Sequence, residues 1–132
     1  MVCEMPDANK CIFCEIVSTN RVIDQGNKCF VVRDAFPVTK GHTLIIPKRH
    51  ISDYFDTTDD EKAEIQNLLM KHRRLLLHCD ETIKGFNIGI NVGEVSGQTV
   101  FHVHVHLIPR RLGDVHNPRG GVRGVIPEKQ QY

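Results

Sequence analysis

Apolar and polar residues alternate strictly through Phe101-His102-Val103-His104-Val105-His106-Leu107-Ile108. That is the period of a β-strand and not of a helix. Val103, Val105 and Leu107 share one face, and His102, His104 and His106 share the other, stepping about 6–7 Å apart. Phe86 to Val92 alternates again. Phe86, Ile88 and Ile90 form its apolar side, Asn87, Gly89 and Asn91 its polar side, and Gly89 leaves room for a close approach. Lys28 to Arg33 and His42 to Pro47 read as strands by composition, and Arg21 to Asp24 as a short edge strand. Gln25-Gly26-Asn27 and the stretch from Pro37 to Gly41 are turn and loop. The polar residues Asp80 to Lys84 read as linker, Gly85 as a turn, and Pro109 as the stop of the last strand.

Helical periodicity occurs once at length. From Asp59 to about His78, one stripe carries Ile65, Leu68, Leu69, His72, Leu75 and Leu76. Thr58-Asp59-Asp60-Glu61 before it has the form of a capping box. His72 is expected to be a packing residue, and Lys71, Arg73 and Arg74 suit the negative end of the helix dipole. A short helix is placed at Cys11 to Val17. Five strands without regular helical crossovers predict an α+β protein with a mainly antiparallel sheet. One sheet face should pack on the long helix, leaving the other for the histidines and asparagines.

The 132 residues suffice for one domain with a single core. Residues 1–10 read as a loose arm with no secretory character, and 110–132 as an Arg- and Gly-rich tail in an ordered or interface-forming loop. A formal net charge of +1, with both signs interspersed, argues against nucleic acid and an anionic membrane surface as partners. No apolar run approaches a membrane span. Five cysteines, an odd number in no dense framework, point to reduced thiols and a cytoplasmic setting.

Three histidines on one strand face are hard to read as packing alone, because neighbouring imidazoles disfavour each other's charged forms. Three uses remain open. A His-x-His pair with a further histidine can hold a catalytic zinc. One histidine can attack phosphorus while neighbours bind the phosphate oxygens. A binding module can instead use Cys11, Cys14 and two histidines for structural zinc. From spacing alone, zinc at Cys11-x-x-Cys14 and simple packing of two small hydrophobes are equally supported; a redox pair fits less well, because no strand precedes the motif. His42 and His50 taken singly read as polar loop or strand-end residues. Neutral amides at Gln98 and Asn91, and a Gly93–Gln98 connection able to offer backbone amides, favour phosphate.

His-Val-His-Val-His-Leu-Ile at 102–108 resembles the signature of the histidine triad (HIT) family of nucleotide hydrolases and transferases. Cys11-Ile12-Phe13-Cys14-Glu15-Ile16, the block from Gly41 to His50, and the stretch from Asn87 to Pro109 resemble further family blocks. The tail from Asn117 to Pro127 is similar to that of prokaryotic members near the Hint branch. The resemblance implies one HIT domain with a five-stranded sheet continued across a homodimer. It implies hydrolysis or transfer at the α-phosphate of purine nucleotide conjugates, such as phosphoramidates, through a nucleotidyl-histidine. The alternatives are a dinucleoside polyphosphate hydrolase and a nucleotide-binding regulator with little turnover. Carried over by position, His104 is the nucleophile, with His102, His106 and Gln98 completing the catalytic set. Asp34 holds the ribose hydroxyls, His42 orients the triad, and Asn91 and Thr99 contact the nucleotide. Structural zinc is implied at Cys11, Cys14, His50 and His102, with no metal needed for the chemical step.

Overall fold

The computed structural model describes residues 11–132; the arm expected at 1–10 lies outside the described residues. Its elements are α1 (Ile12–Ile16), β1 (Val22–Gln25), β2 (Cys29–Arg33), β3 (Thr43–Pro47), α2 (Asp59–Cys79), β4 (Ile83–Gly89) and β5 (Val105–Arg111). The five strands form one antiparallel sheet in the order β1-β2-β3-β5-β4. The α+β class expected from the periodicity is the one observed.

β2 does not alternate in sequence because it is covered on both sides. Cys29, Val31 and Ile45 meet Ile65 and Leu68 of α2 on one face, while Phe30, Val32, Leu44 and Ile46 meet Phe13 and Ile16 of α1 on the other. Leu76, Ile83 and Leu107 continue the α2 side of the core. α1 is only five residues long and covers part of its face, with Phe13 reaching over His102 and His104.

α2 begins at the expected box. The Thr58 hydroxyl accepts from the Glu61 amide at 3.1 Å, and Glu61 accepts from the Thr58 amide at 2.8 Å. Glu61 is buried and also receives the Arg49 guanidinium at 2.8 Å, which ties the end of β3 to the start of α2. Glu64, one turn on, accepts from the Asn27 and Lys28 amides at 2.9 and 2.7 Å. A Cβ at Gly26 would meet that carboxylate, so a larger residue in this turn would displace the end of the Glu64 side chain. His72 is more than a packing residue. It is buried, and its Nε2 meets the Asp24 carboxylate at 2.8 Å, which Lys71 also contacts at 2.8 Å.

The boundaries of β4 and β5 differ from expectation. Ile83, Lys84 and Gly85 belong to β4 rather than to a linker and turn, because Ile83 packs with Leu76 and Leu107. Pro109 does not end β5, which runs to Arg111. The carbonyl of Pro109 faces away from β4 and accepts the Thr39 hydroxyl at 2.7 Å. Its missing N–H would point to that same side, past the end of β3 pairing, so no ladder bond is lost.

Candidate active site and metal centre

The histidine stretch keeps its facing but not its strand. β5 starts only at Val105, where pairing with Ile45 begins. Phe101 to His104 lie ahead of the ladder, and the Val103 amide donates to the Ile51 carbonyl at 2.8 Å. All three rings still share the α1 side. Phe13 packs edge-on against His102 and His104, with centroids 6.0 and 5.0 Å away, and His106 stands opposite Leu44.

The partners of each ring fix its tautomer. His104 Nδ1 lies 2.9 Å from the His102 carbonyl, which can only accept. The proton is therefore on Nδ1, and Nε2 keeps a lone pair. His42 Nδ1 receives the Val38 amide at 3.1 Å, so the His42 proton is on Nε2 and is donated to His106 Nδ1 at 2.9 Å. His106 must then carry its own proton on Nε2. The result is a nitrogen base at His104 beside a neutral N–H donor at His106, with ring centroids 5.1 Å apart. Burial, then the neighbouring His104 and His42, push His106 down to about 4, so it is neutral at physiological pH. Burial also lowers His42, against the pull of Asp34, whose carboxylate lies 3.4 Å from Nε2.

Beside these rings lies a cavity of about 970 Å³. His42, His106, Asn91 and Ile108 line one side, and Val122 and Val125 of the tail line another. The tail is ordered through 3-10 turns at Gly121–Val125 and Pro127–Lys129. Gly120 sits at φ 88°, where a Cβ would strike the Gln130 carbonyl, so this fold-back requires glycine. Sequence reasoning missed the tail as a cavity wall. It also missed Phe13, although that residue lies inside the Cys-x-x-Cys motif, and the Val38 amide, which has no side-chain signal.

Gln98 is placed differently from its expected role. Its side chain is buried, with Nε2 donating to the carbonyls of Ser52 at 2.7 Å and Val100 at 3.2 Å. Its Oε1 accepts the Gly93 amide at 2.9 Å. The amides of Ser96, Gly97 and Gln98 are likewise used within the loop. The Gly93–Gln98 connection therefore does not offer the row of free amides expected from its glycines. Thr99, which follows, is exposed.

Cys11 Sγ, Cys14 Sγ, His50 Nδ1 and His102 Nδ1 all lie within 4.8 Å of one another. Individual separations are 3.2 Å for Cys14–His50 and His50–His102, and 3.5 Å for each thiol to His102. A tetrahedral zinc with bonds of about 2.0–2.3 Å has edges of about 3.3–3.8 Å, close to these separations, so the four atoms fit such an ion. His102 Nε2 donates to the Pro47 carbonyl at 2.7 Å, which leaves Nδ1 as the ligand atom and supplies the outer hydrogen bond usual for a metal histidine. The set joins α1, the segment after β3 and the segment before β5. It closes with four protein ligands, the pattern of a structural rather than a catalytic zinc.

Comparison with known proteins agrees. The chain is 41% identical over 117 residues to a 16.1 kDa HIT-like protein of Mycoplasma pneumoniae, covering 84% of this chain and 81% of that one. A zinc-bound histidine triad protein of Mycobacterium smegmatis superposes with TM-score 0.75 at 36% identity, over 84% of this chain and 82% of that one. A histidine triad nucleotide-binding protein of Candida albicans superposes with TM-score 0.69 at 33% identity, over 76% and 75%. The HIT domain model itself matches residues 15–113. With that match beside these relatives, the chain belongs to the HIT family, whose members are nucleotide-processing hydrolases and transferases.

Proposed function

We propose that this protein cleaves purine nucleotide conjugates, such as nucleoside phosphoramidates, at the α-phosphate through a nucleotidyl-histidine on His104. The observation that carries the reading is the tautomer of His104. Its Nδ1–H is held by the His102 carbonyl at 2.9 Å, so Nε2 is the attacking atom. The new bond forms between Nε2 and phosphorus, and the P–N bond to the leaving amine breaks. The amine takes a proton from solvent. The imidazolium keeps its Nδ1 proton on the same carbonyl, which stabilises the charge. Water then attacks phosphorus and loses a proton, releasing the nucleoside monophosphate and neutral His104. His106 Nε2–H donates to a phosphate oxygen as charge gathers there.

Asp34 accepts the ribose hydroxyls, and Asn91 and Thr99 contact the nucleotide from the loop that Gln98 holds in shape. Gln98 thus acts by positioning, its amide being committed to backbone. His42 fixes the proton of His106. Zinc on Cys11, Cys14, His50 and His102 supplies rigidity, pinning α1 so that Phe13 stays against His104. A homodimer that continues the sheet fits the terminal position of β4, where Ile88 is 52% exposed.

The test is intact-mass spectrometry after a rapid acid-free quench with an adenosine phosphoramidate. The wild type should show a transient gain of one adenylyl group. His104→Ala should show none, losing roughly 10⁴-fold or more in turnover while still binding a purine monophosphate. Residual turnover near the wild-type level would remove His104 from this role.

A further inference from the structure

A second cavity, of about 760 Å³, opens between the C-terminal end of α2 and the loop joining β2 to β3. Leu76, Ile83 and Pro37 form its apolar wall, and Arg33, Lys40 and Arg111 bring three cations to it. Neither His104 nor His106 lines it. The cations are not equivalent. Arg111 is spent on the Asp80 carboxylate at 2.9 Å, the Lys40 carbonyl at 2.8 Å and the Thr82 hydroxyl at 3.0 Å. Arg49 and Arg110 elsewhere also face carboxylates. Arg33 has no carboxylate partner among the described residues, and neither has Lys40.

Arg33 is nonetheless held in place. Its Nη1 donates to the fully buried Thr43 hydroxyl, which donates onward to the Gly41 carbonyl at 2.7 Å. Partial burial lowers its pKa, and among the described residues no carboxylate pairs with it. The rest of its guanidinium fork is open to the cavity, since the residue as a whole remains exposed. Of the two carboxylates in the wall, Asp80 is held by Arg111, while Asp34 accepts the Phe36 amide at 2.8 Å and turns its other oxygen towards His42 and His106.

We propose that this cavity binds a phosphomonoester, with its head between Arg33 and Lys40 and its body along Leu76 and Ile83. Two unpaired cations match a dianionic head, and phosphate carries about −1.5 to −2 at neutral pH. The planar guanidinium matches phosphate oxygens in pairs. The volume lies in the range of small-molecule sites, so a bare ion would leave the apolar wall unused. Asp34 and His42 of the nucleotide reading reach the rim of this cavity, but the proposal rests on Arg33 and Lys40 and does not depend on that reading.

The test is an NMR titration of the whole chain with inorganic phosphate and with phenyl phosphate, for the wild type, Arg33→Gln and Lys40→Gln. Saturable shifts are expected at Arg33, Lys40 and Ile83, with phenyl phosphate binding more tightly than phosphate. Each substitution should weaken that binding by about tenfold or more. Thermal melts check that Arg33→Gln is folded; Lys40 is on an exposed loop, so Lys40→Gln tests the idea even if Arg33→Gln is not. Shifts confined to the surroundings of His104 and His106 would overturn the proposal. So would cavity shifts that folded Arg33→Gln or Lys40→Gln leaves unchanged.

Discussion

The two ends of each imidazole at the site do different work. His104 uses Nδ1 to hold a proton on the His102 carbonyl and leaves Nε2 free as the atom proposed to attack, while His42 passes the orientation set by the Val38 amide on to His106. Replacing His42 by Phe removes the donor that fixes His106. Turnover should fall by about a hundredfold while nucleotide affinity changes little. His42→Gln, which can place an amide N–H near the lost Nε2, should recover part of the rate; steady-state kinetics with a direct binding measurement separates the two effects. Equal loss in both variants, with weaker binding, would mean that His42 is structural. At this scale the residue types were legible and their partners were not. Nothing in the order of residues says that the Gln98 amide is spent on Ser52 and Val100, since those contacts depend on how the loop closes.

Among the elements, α2 carries its own start signal and also receives the end of β3. Glu61 joins both, capping the helix and holding Arg49 next to the metal-ligand candidate His50. The Arg49 guanidinium, outweighing burial, holds the Glu61 carboxyl below its ordinary value of 4.5. The unfolded chain therefore takes up this proton at a higher pH than the folded one. The stability it contributes is complete above about 4.5 and is lost as pH falls through the lower folded value. Asp24 is also held low: burial pulls it up, but Lys71 and His72 outweigh that, so it adds to the same acid loss. Glu61→Gln should lose about 1–2 kcal/mol at neutral pH and flatten the fall in melting temperature below pH 4.5. Melting curves across pH 3–7 check this, and an unchanged acid slope would assign the loss to other carboxylates. Periodicity and composition together located these elements; they missed both ends of β4, the late start of β5 and its continuation past Pro109, because strand limits depend on which side of the strand has a partner.

Across the whole molecule, the four-ligand cluster decides how α1 meets the sheet. It links residues 11 and 14 to 50 and 102, and the same helix carries Phe13 against His104. Removing zinc with a chelator should lower the melting temperature by several degrees and the initial rate by much less, because the proposed mechanism places the chemistry on His104 and not on the metal. The reverse ordering would favour a metal-bound hydroxide. Metal analysis of the same sample, with Cys14→Ala as control, makes the comparison direct. No helix among the described residues is long and apolar enough to cross a membrane. The sequence by itself determined the antiparallel α+β class, the long capped helix and the shared face of the three histidines, because these follow from local period and capping chemistry. Tertiary structure alone decided that His102 turns to the cysteines, that His106 takes its proton's place from His42, that the tail walls the cavity, and that Arg33 has no carboxylate partner among the described residues. Each of those rests on atoms brought together from distant parts of the chain, and no local pattern encodes which of them will meet.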